Sequence, residues 1–171
     1  MADEYTLLAR ASFESWTHEG LRIDAPESLP EDMVNRRAGC FVSLHIGDDL
    51  RGCIGTIAPT QPTLADEIIE NAIAACSRDP RFPAVTPDEL EHINCSVDVL
   101  SKAENISGPE DLDVKRYGVI VTNGFRRGLL LPDLDGVDTV EQQIAIAKQK
   151  AGMRITESCT IQRFEVIRHS E

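Results

Sequence analysis

Between Leu50 and Gly55 the chain reads Leu-Arg-Gly-Cys-Ile-Gly, which sets a guanidinium and a thiol two residues apart with a glycine between them. In an extended strand residues i and i+2 share a face. Arg51 and Cys53 are therefore predicted to point one way, and Leu50 and Ile54 the other way, into a core. A cation beside a thiol favours the thiolate, the form that attacks electrophiles and binds metals. Gly52 and Gly55 bring no side chain, so a ligand or another stretch of backbone can come close. The competing reading makes Cys53 a small residue packed against the helix that follows. In that reading Arg51 is a solvated strand residue, or the partner of one of many carboxylates.

Asn71, Arg81 and Asp98 extend the pattern. Singly, each reads as a capping or turn-stabilising residue at an edge or on a polar face. Together with Arg51 and Cys53 they could line one pocket, with a nucleophile, two anion binders, an amide and an acid. Two guanidiniums suit a carboxylate or phosphate on the substrate. His45, on the strand expected to pair with residues 50–57, is a base for the thiol if the register brings the two together. His18, His92 and His169 are scattered and read as surface or strand residues. GxGxxG, GxxxxGK[ST] and H-E-x-x-H are all absent, so no cofactor and no metal site is predicted. A third reading makes Cys53 a carrier of a metal or cofactor.

The elements that must position these residues follow from periodicity and punctuation. Tyr5, Leu8, Ala9, Ser12, Phe13 and Trp16 recur at helical spacing over 4–18. Residues 20–35, with Pro26 and Pro30, read as an exposed loop with a short helical turn. Cys40–Ile46 alternates as a strand, Gly47-Asp48-Asp49 turns, and residues 50–57 return as the second strand of a hairpin. Thr63 caps a strong helix with Asp66 as its capping-box partner, and Pro80 stops that helix near Asp79. Asn71 lies at the edge of its buried arc, where it could face a cleft. Thr86-Pro87-Asp88-Glu89 starts a second helix. Ile93–Leu100 is a strand with Asn94, Ser96 and Asp98 on its polar face. A strand over 118–122, the Asn123-Gly124 turn, a helix capped by Asp138 or Thr139 and stopped by Gly152, and one last strand over 159–167 complete the chain. Helices scattered among hairpin-connected strands predict an α+β domain with mainly antiparallel sheet.

At 171 residues, with 42% hydrophobic and 27% charged residues, the chain is a globular protein of one domain. Its net charge of −12 argues against non-specific binding to nucleic acid or anionic membrane, because both need a cationic face. No apolar run approaches a membrane span, and the acidic, amphipathic start does not read as a signal peptide, so a cytoplasmic location is the expectation. Cys40, Cys53, Cys76, Cys95 and Cys159 are odd in number and widely spaced, which argues against a disulfide framework or zinc knuckle.

The hexapeptide at 50–55 resembles the hallmark of the AMMECR domain family. The likeness covers nearly the whole chain, including Gly39–Leu44, Asn71-Ala72, Asp79–Pro83, Ser96–Ser101, Gly128–Pro132 and Lys150–Gly152. Residues 132–138 read Pro-Asp-Leu-Asp-Gly-Val-Asp where many members have Pro-Gln-Val-Ala, and this version is similar to the bacterial branch called AmmeMemoRadiSam system protein A. The resemblance implies one domain over 1–171, of two lobes with a cleft between them and the hexapeptide near that cleft. It also implies two partners, a Memo-like protein and a radical SAM enzyme. It brings no settled reaction, so two functions stand side by side. One is an enzyme or enzyme component acting through Cys53 and Arg51 on a small anionic substrate or modified macromolecule, with Gly52, Gly55, Asn71, Arg81 and Asp98 as binding residues. The other is a non-catalytic adaptor that docks a partner through the same segment.

Overall fold

Alternation decides the first hairpin. Cys40, Val42 and Leu44 are fully buried while Phe41, Ser43 and His45 are half-exposed, so β1 (Cys40–Ile46) has one dry and one wetter face. β2 (Asp49–Gly55) pairs with it antiparallel, and β3 (Ile93–Leu100) pairs antiparallel on its other side. With β8 (Val166–Ser170) these strands form a four-stranded sheet of order β2-β1-β3-β8. Two helices supply the rest of this core. α1 (Glu4–Glu19) is capped by Asp3, whose carboxylate accepts from the Tyr5 and Thr6 backbone N–H groups. α3 (Leu64–Ser77) buries Leu64, Ala65, Ile68, Ile69, Ala72 and Ile73 among others. A short α2 (Glu31–Asn35) adds Met33 to the same core.

The second sheet has the order β4-β7-β5-β6, built from β4 (Glu104–Asn105), β5 (Gly118–Asn123), β6 (Arg126–Leu130) and β7 (Thr160–Phe164). α4 (Val140–Lys150) starts at a complete capping box of Thr139 and Gln142 and ends before Gly152, whose φ of +73° is the left-handed stop that glycine provides. A small separate core of residues such as Val119, Val121, Leu130 and Ala147 sits here. The structure, a computed structural model, describes residues 1–171. It divides into two compact units, Met1–Val99 with Ile167–Glu171, and Leu100–Val166. The fold is α+β with two antiparallel sheets. No helix is long and apolar enough to cross a membrane.

Four local expectations are corrected. The last strand is not one strand: the chain breaks at Glu165 and continues into the other sheet, so β7 and β8 belong to different sheets. Residues 87–92 form a 3₁₀ helix. The box at Thr63 is half formed, because Thr63 caps the Asp66 N–H while its own hydroxyl donates to the Asp66 carboxylate. β2 ends at Gly55 and contains a β-bulge: Gly52 lies opposite Leu44 but Leu50 opposite His45, which leaves Arg51 as the extra residue. The bulge shifts Leu50 onto the His45 face, away from the core.

Candidate functional site

Cys53 stands opposite Ser43 on the face of the first sheet that carries the odd-numbered residues of β1. Ser43 Oγ donates to Cys53 Sγ at 3.2 Å. One row along, Gly55, Phe41 and Asp98 lie side by side across three strands. Beyond the strand, residues 79–84 turn back onto β2. Asp79 organises that turn. Its Oδ2 accepts from the Cys53 backbone N–H (2.9 Å) and from Arg81 Nη2 (2.8 Å), and its Oδ1 accepts from Arg81 N–H and Nε (3.0 and 3.1 Å). The Arg81 pairing holds the Asp79 carboxyl far below the usual carboxylate range although the side chain is 2% exposed. Arg81 Nη2 also donates to the Cys53 carbonyl at 3.2 Å, and Arg81 itself remains 56% exposed.

Arg51 is spent elsewhere. Its Nε and Nη2 grip both oxygens of Glu89 (2.7 and 3.0 Å), and Nη1 and Nη2 donate to the carbonyls of Pro83 and Ala84. Such a two-pronged pair is the strongest form of surface-accessible ion pairing. It pulls the Glu89 carboxyl down to about 2. Glu89 serves as the capping-box residue for Thr86 as well, so one carboxylate ties the bulge of β2 to the start of the 3₁₀ turn.

The surroundings of Cys53 work against the expected thiolate. Burial pushes the Cys53 thiol up, Asp98 and Asp79 push in the same direction, and the Ser43 hydrogen bond and the Arg81 charge oppose them without prevailing. The residue opposite the thiol is Ser43 and not His45, which pairs with Leu50.

The two motif glycines hold no space open for a ligand. A Cβ on Gly52 would stand 2.2 Å from the Ala75 carbonyl oxygen, so the glycine lets α3 lie directly on the strand. A Cβ on Gly55 would stand 2.3 Å from the Phe41 ring, which occupies that place. Asn71 faces inward rather than into a cleft. Its Nδ2 donates to the carbonyl and sulfur of Cys40 and to Thr56 Oγ1, on the core side of the sheet. Asp98 is on the same face as Cys53 but is buried and clamped by Arg168 through two bonds of 2.7 and 2.8 Å. Of the predicted residues, then, the structure brings Cys53 and Arg81 into direct contact. It places Asp98 on the Cys53 face, ties Arg51 to the later residues of the same loop, Pro83 and Ala84, and keeps Asn71 apart.

Asp79, Glu89 and Ser43 are the residues that sequence reasoning passed over. An aspartate two residues before a basic side chain in Asp-Pro-Arg is a turn signal, because its carboxylate reaches the backbone N–H two residues on. Glu67 was missed too. This carboxylate is 1% exposed and accepts four bonds, from Thr56 Oγ1, the Thr60 N–H and Oγ1, and the Gln61 N–H. It fixes the segment that leaves β2.

A family model described as AMMECR1 matches residues 6–169. A Thermotoga maritima protein is 53% identical over 167 residues, 96% of each chain. A Clostridium acetobutylicum protein is 49% identical over 170 residues, and this chain spans 99% of its own length but only 36% of that protein. An uncharacterised protein from Pyrococcus horikoshii, solved by crystallography, superposes with a TM-score of 0.91 at 31% identity, covering 98% of this chain and 89% of the other.

Proposed function

Because the chain belongs to the AMMECR1 family, whose model spans residues 6–169, we propose that it is a cytoplasmic binding domain working beside a second protein, and that it offers the Cys53–Arg81 corner of its first unit to that partner. One observation carries this reading. The hexapeptide's guanidinium is closed on Glu89 and two carbonyls, which leaves a protonated thiol with no base beside an exposed cation, Arg81. A thiol nucleophile needs an adjacent base or a lowered pKa. A docking corner needs only a rigid frame and a projecting charge. The frame is the buried Asp79 carboxylate, which ties Arg81 to β2. The partners that the family resemblance implies, a Memo-like protein and a radical SAM enzyme, are the proposed occupants. It fits this reading that the domain makes up only 36% of the Clostridium relative, the rest of which is other sequence.

A second reading, a thiol enzyme component for a small anionic substrate, has one observation in its favour. Arg81 both touches the Cys53 carbonyl and draws the thiol pKa downward. Titration calorimetry of the purified chain against the Memo-like protein separates the two. The docking reading expects Arg81→Glu to weaken the complex by at least about tenfold, Arg81→Lys to recover part of the loss, and Cys53→Ser to bind normally. A complex indifferent to Arg81→Glu sinks it. Normal binding by Cys53→Ser together with loss of function in cells selects the thiol enzyme.

A further inference from the structure

One end of the second unit carries large apolar side chains in solvent. The Asn123-Gly124 turn, with Gly124 at φ +60°, lifts Phe125 wholly into solvent (107% relative exposure). The turn is not loose. Asn123 Nδ2 donates to the Ser158 carbonyl (3.0 Å), Arg126 Nη1 donates to the Gly152 carbonyl (3.2 Å), and Arg126 Nη2 meets Glu157 at 2.8 Å. Lys148 Nζ holds the facing loop through the carbonyls of Ile155 and Glu157. On that loop Ile155 is 72% exposed. Two large apolar side chains thus stand in water on a framed surface, which is the opposite of where the hydrophobic effect would leave them without a purpose.

Between turn and loop runs an open groove of about 420 Å³, lined by residues 122–124 and 158–160. It shares Cys159 and Thr160 with a second groove of about 500 Å³, whose opposite wall is residues 105–109. The second groove exists because β4 pairs with β7 at Gln162 and Arg163 only. The chain then bends off, with the Ser107 N–H taken by Asp111, so the stretch of β7 at Thr160–Ile161 has no β4 strand beside it. An exposed strand edge accepts an added extended chain.

Charge says which chain. Residues 123–128 and 148–159 carry five cations (Arg126, Arg127, Lys148, Lys150 and Arg154) and one carboxylate, Glu157, in a protein of net charge −12. Arg126, Lys148 and Lys150 are held by backbone carbonyls, whereas Arg127 and Arg154 project into solvent. Glu157 is engaged by Arg126 and Arg154. We propose that this end of the second unit, formed by the β5–β6 turn and the loop over 151–159, is a docking surface for an extended acidic segment of a partner protein bearing a large apolar side chain. The segment crosses the hairpin tip: its apolar side chain packs beside Phe125 and Ile155, and its carboxylates meet Arg154, on the side of Arg126, and Arg127, which strand alternation turns to the other face. Non-specific binding of a duplex or a bilayer needs a broad cationic face, against which the net charge of −12 argues, whereas a peptide needs only the charges within a Debye length of about 8 Å. The proposal stands apart from the reading of Cys53, which lies in the other unit.

The test uses the full chain and a fluorescent nine-residue probe that alternates glutamate with leucine, read by anisotropy at low salt, with backbone amide shifts mapped by NMR. Saturable binding is expected, with shifts confined to residues 122–127 and 154–161. The affinity should fall by about tenfold or more in Arg127→Glu/Arg154→Glu. It should fall by about fivefold or more in Phe125→Ser, a change at a fully exposed position that leaves the fold intact. A matched glutamine–leucine probe should bind at least about tenfold more weakly. No binding of the acidic probe, binding that ignores both variants, or equal binding of phosphatidylserine vesicles or single-stranded DNA overturns the proposal.

Discussion

Each unit of this molecule seats a helix on a strand glycine, and the two joints differ in what surrounds them. In the first unit Gly52 of β2 lies under α3, with the Ala75 carbonyl oxygen 2.2 Å from where a Cβ would be. In the second, Gly128 of β6 lies under α4, with the Ala147 carbonyl oxygen at 2.1 Å. The first joint is embedded. α3 buries most of its residues, and the strand beneath it is locked by Arg51 to Glu89 and by the Cys53 N–H to Asp79. The second is lightly covered, since α4 buries only Gln143 and Ala147, and the hairpin that carries Gly128 ends in an exposed phenylalanine. A glycine inside a short motif such as residues 50–55 can thus be a packing device. Chemistry and recognition have to be sought where side chains are left over, at Arg81 in one unit and at Phe125 and Arg127 in the other.

The largest expected effect breaks the joints themselves. In Gly52→Ala the new methyl must push back a helix backbone set in the larger core, and overpacking of this kind costs about 3 kcal/mol or more. Gly128→Ala should cost less, about 1–2 kcal/mol, because α4 has fewer buried neighbours to drag with it. Urea unfolding measures both. Equal losses would mean that the two joints are equivalent and that the contrast drawn between the units is mistaken.

Next comes the clamp that only the first joint has. Arg51→Ala leaves Glu89 and the carbonyls of Pro83 and Ala84 without their donor, and should cost about 2–3 kcal/mol. The clamp is also acid-sensitive in a defined direction. Arg51 lowers the Glu89 pKa from its ordinary 4.5 to about 2 on folding, so its contribution is complete above pH 4.5 and is lost as the pH falls towards 2. Asp79, held down chiefly by Arg81, moves the same way. The stability gap between the wild type and Glu89→Gln should therefore be widest near neutrality and close between pH 4.5 and 2. A gap unchanged across that window refutes the clamp.

Much of this architecture was readable in advance, and the failures share a cause. Strand Ile93–Leu100, a helix start at Asp138 or Thr139 (the structure takes Thr139) and the stop at Gly152 depend on neighbours a few residues away, and periodicity and capping signals find them. The break at Glu165 does not. Residues 159–170 keep a strand-like composition, and the chain changes sheets there because the Glu165 N–H and carbonyl are taken by Ser101, 64 residues earlier. The bulge that displaces Leu50 depends on cross-strand register. The partner of Arg51 lies 38 residues on, among many carboxylates of equal standing in the sequence. The Leu-Arg-Gly-Cys-Ile-Gly segment could not say that its guanidinium and glycines were already occupied by the protein's own atoms.

The smallest effect compares the two half-exposed cysteines, one in each unit. Cys53 Sγ accepts a bond from Ser43, and burial raises its pKa, so little of it is thiolate at neutral pH. Cys159 lines the open grooves beside Phe125's hairpin. Alkylation needs both a thiolate and an approach path. Iodoacetamide at pH 7 should therefore label Cys159 faster than Cys53, by about threefold to tenfold. Arg81→Ala removes the one cation that draws the Cys53 thiol down and should slow its labelling further. Peptide mapping by mass spectrometry assigns the two sites. Faster labelling of Cys53 would mean that its sulfur is more acidic and more open than this geometry allows, which would favour the thiol enzyme over the docking domain.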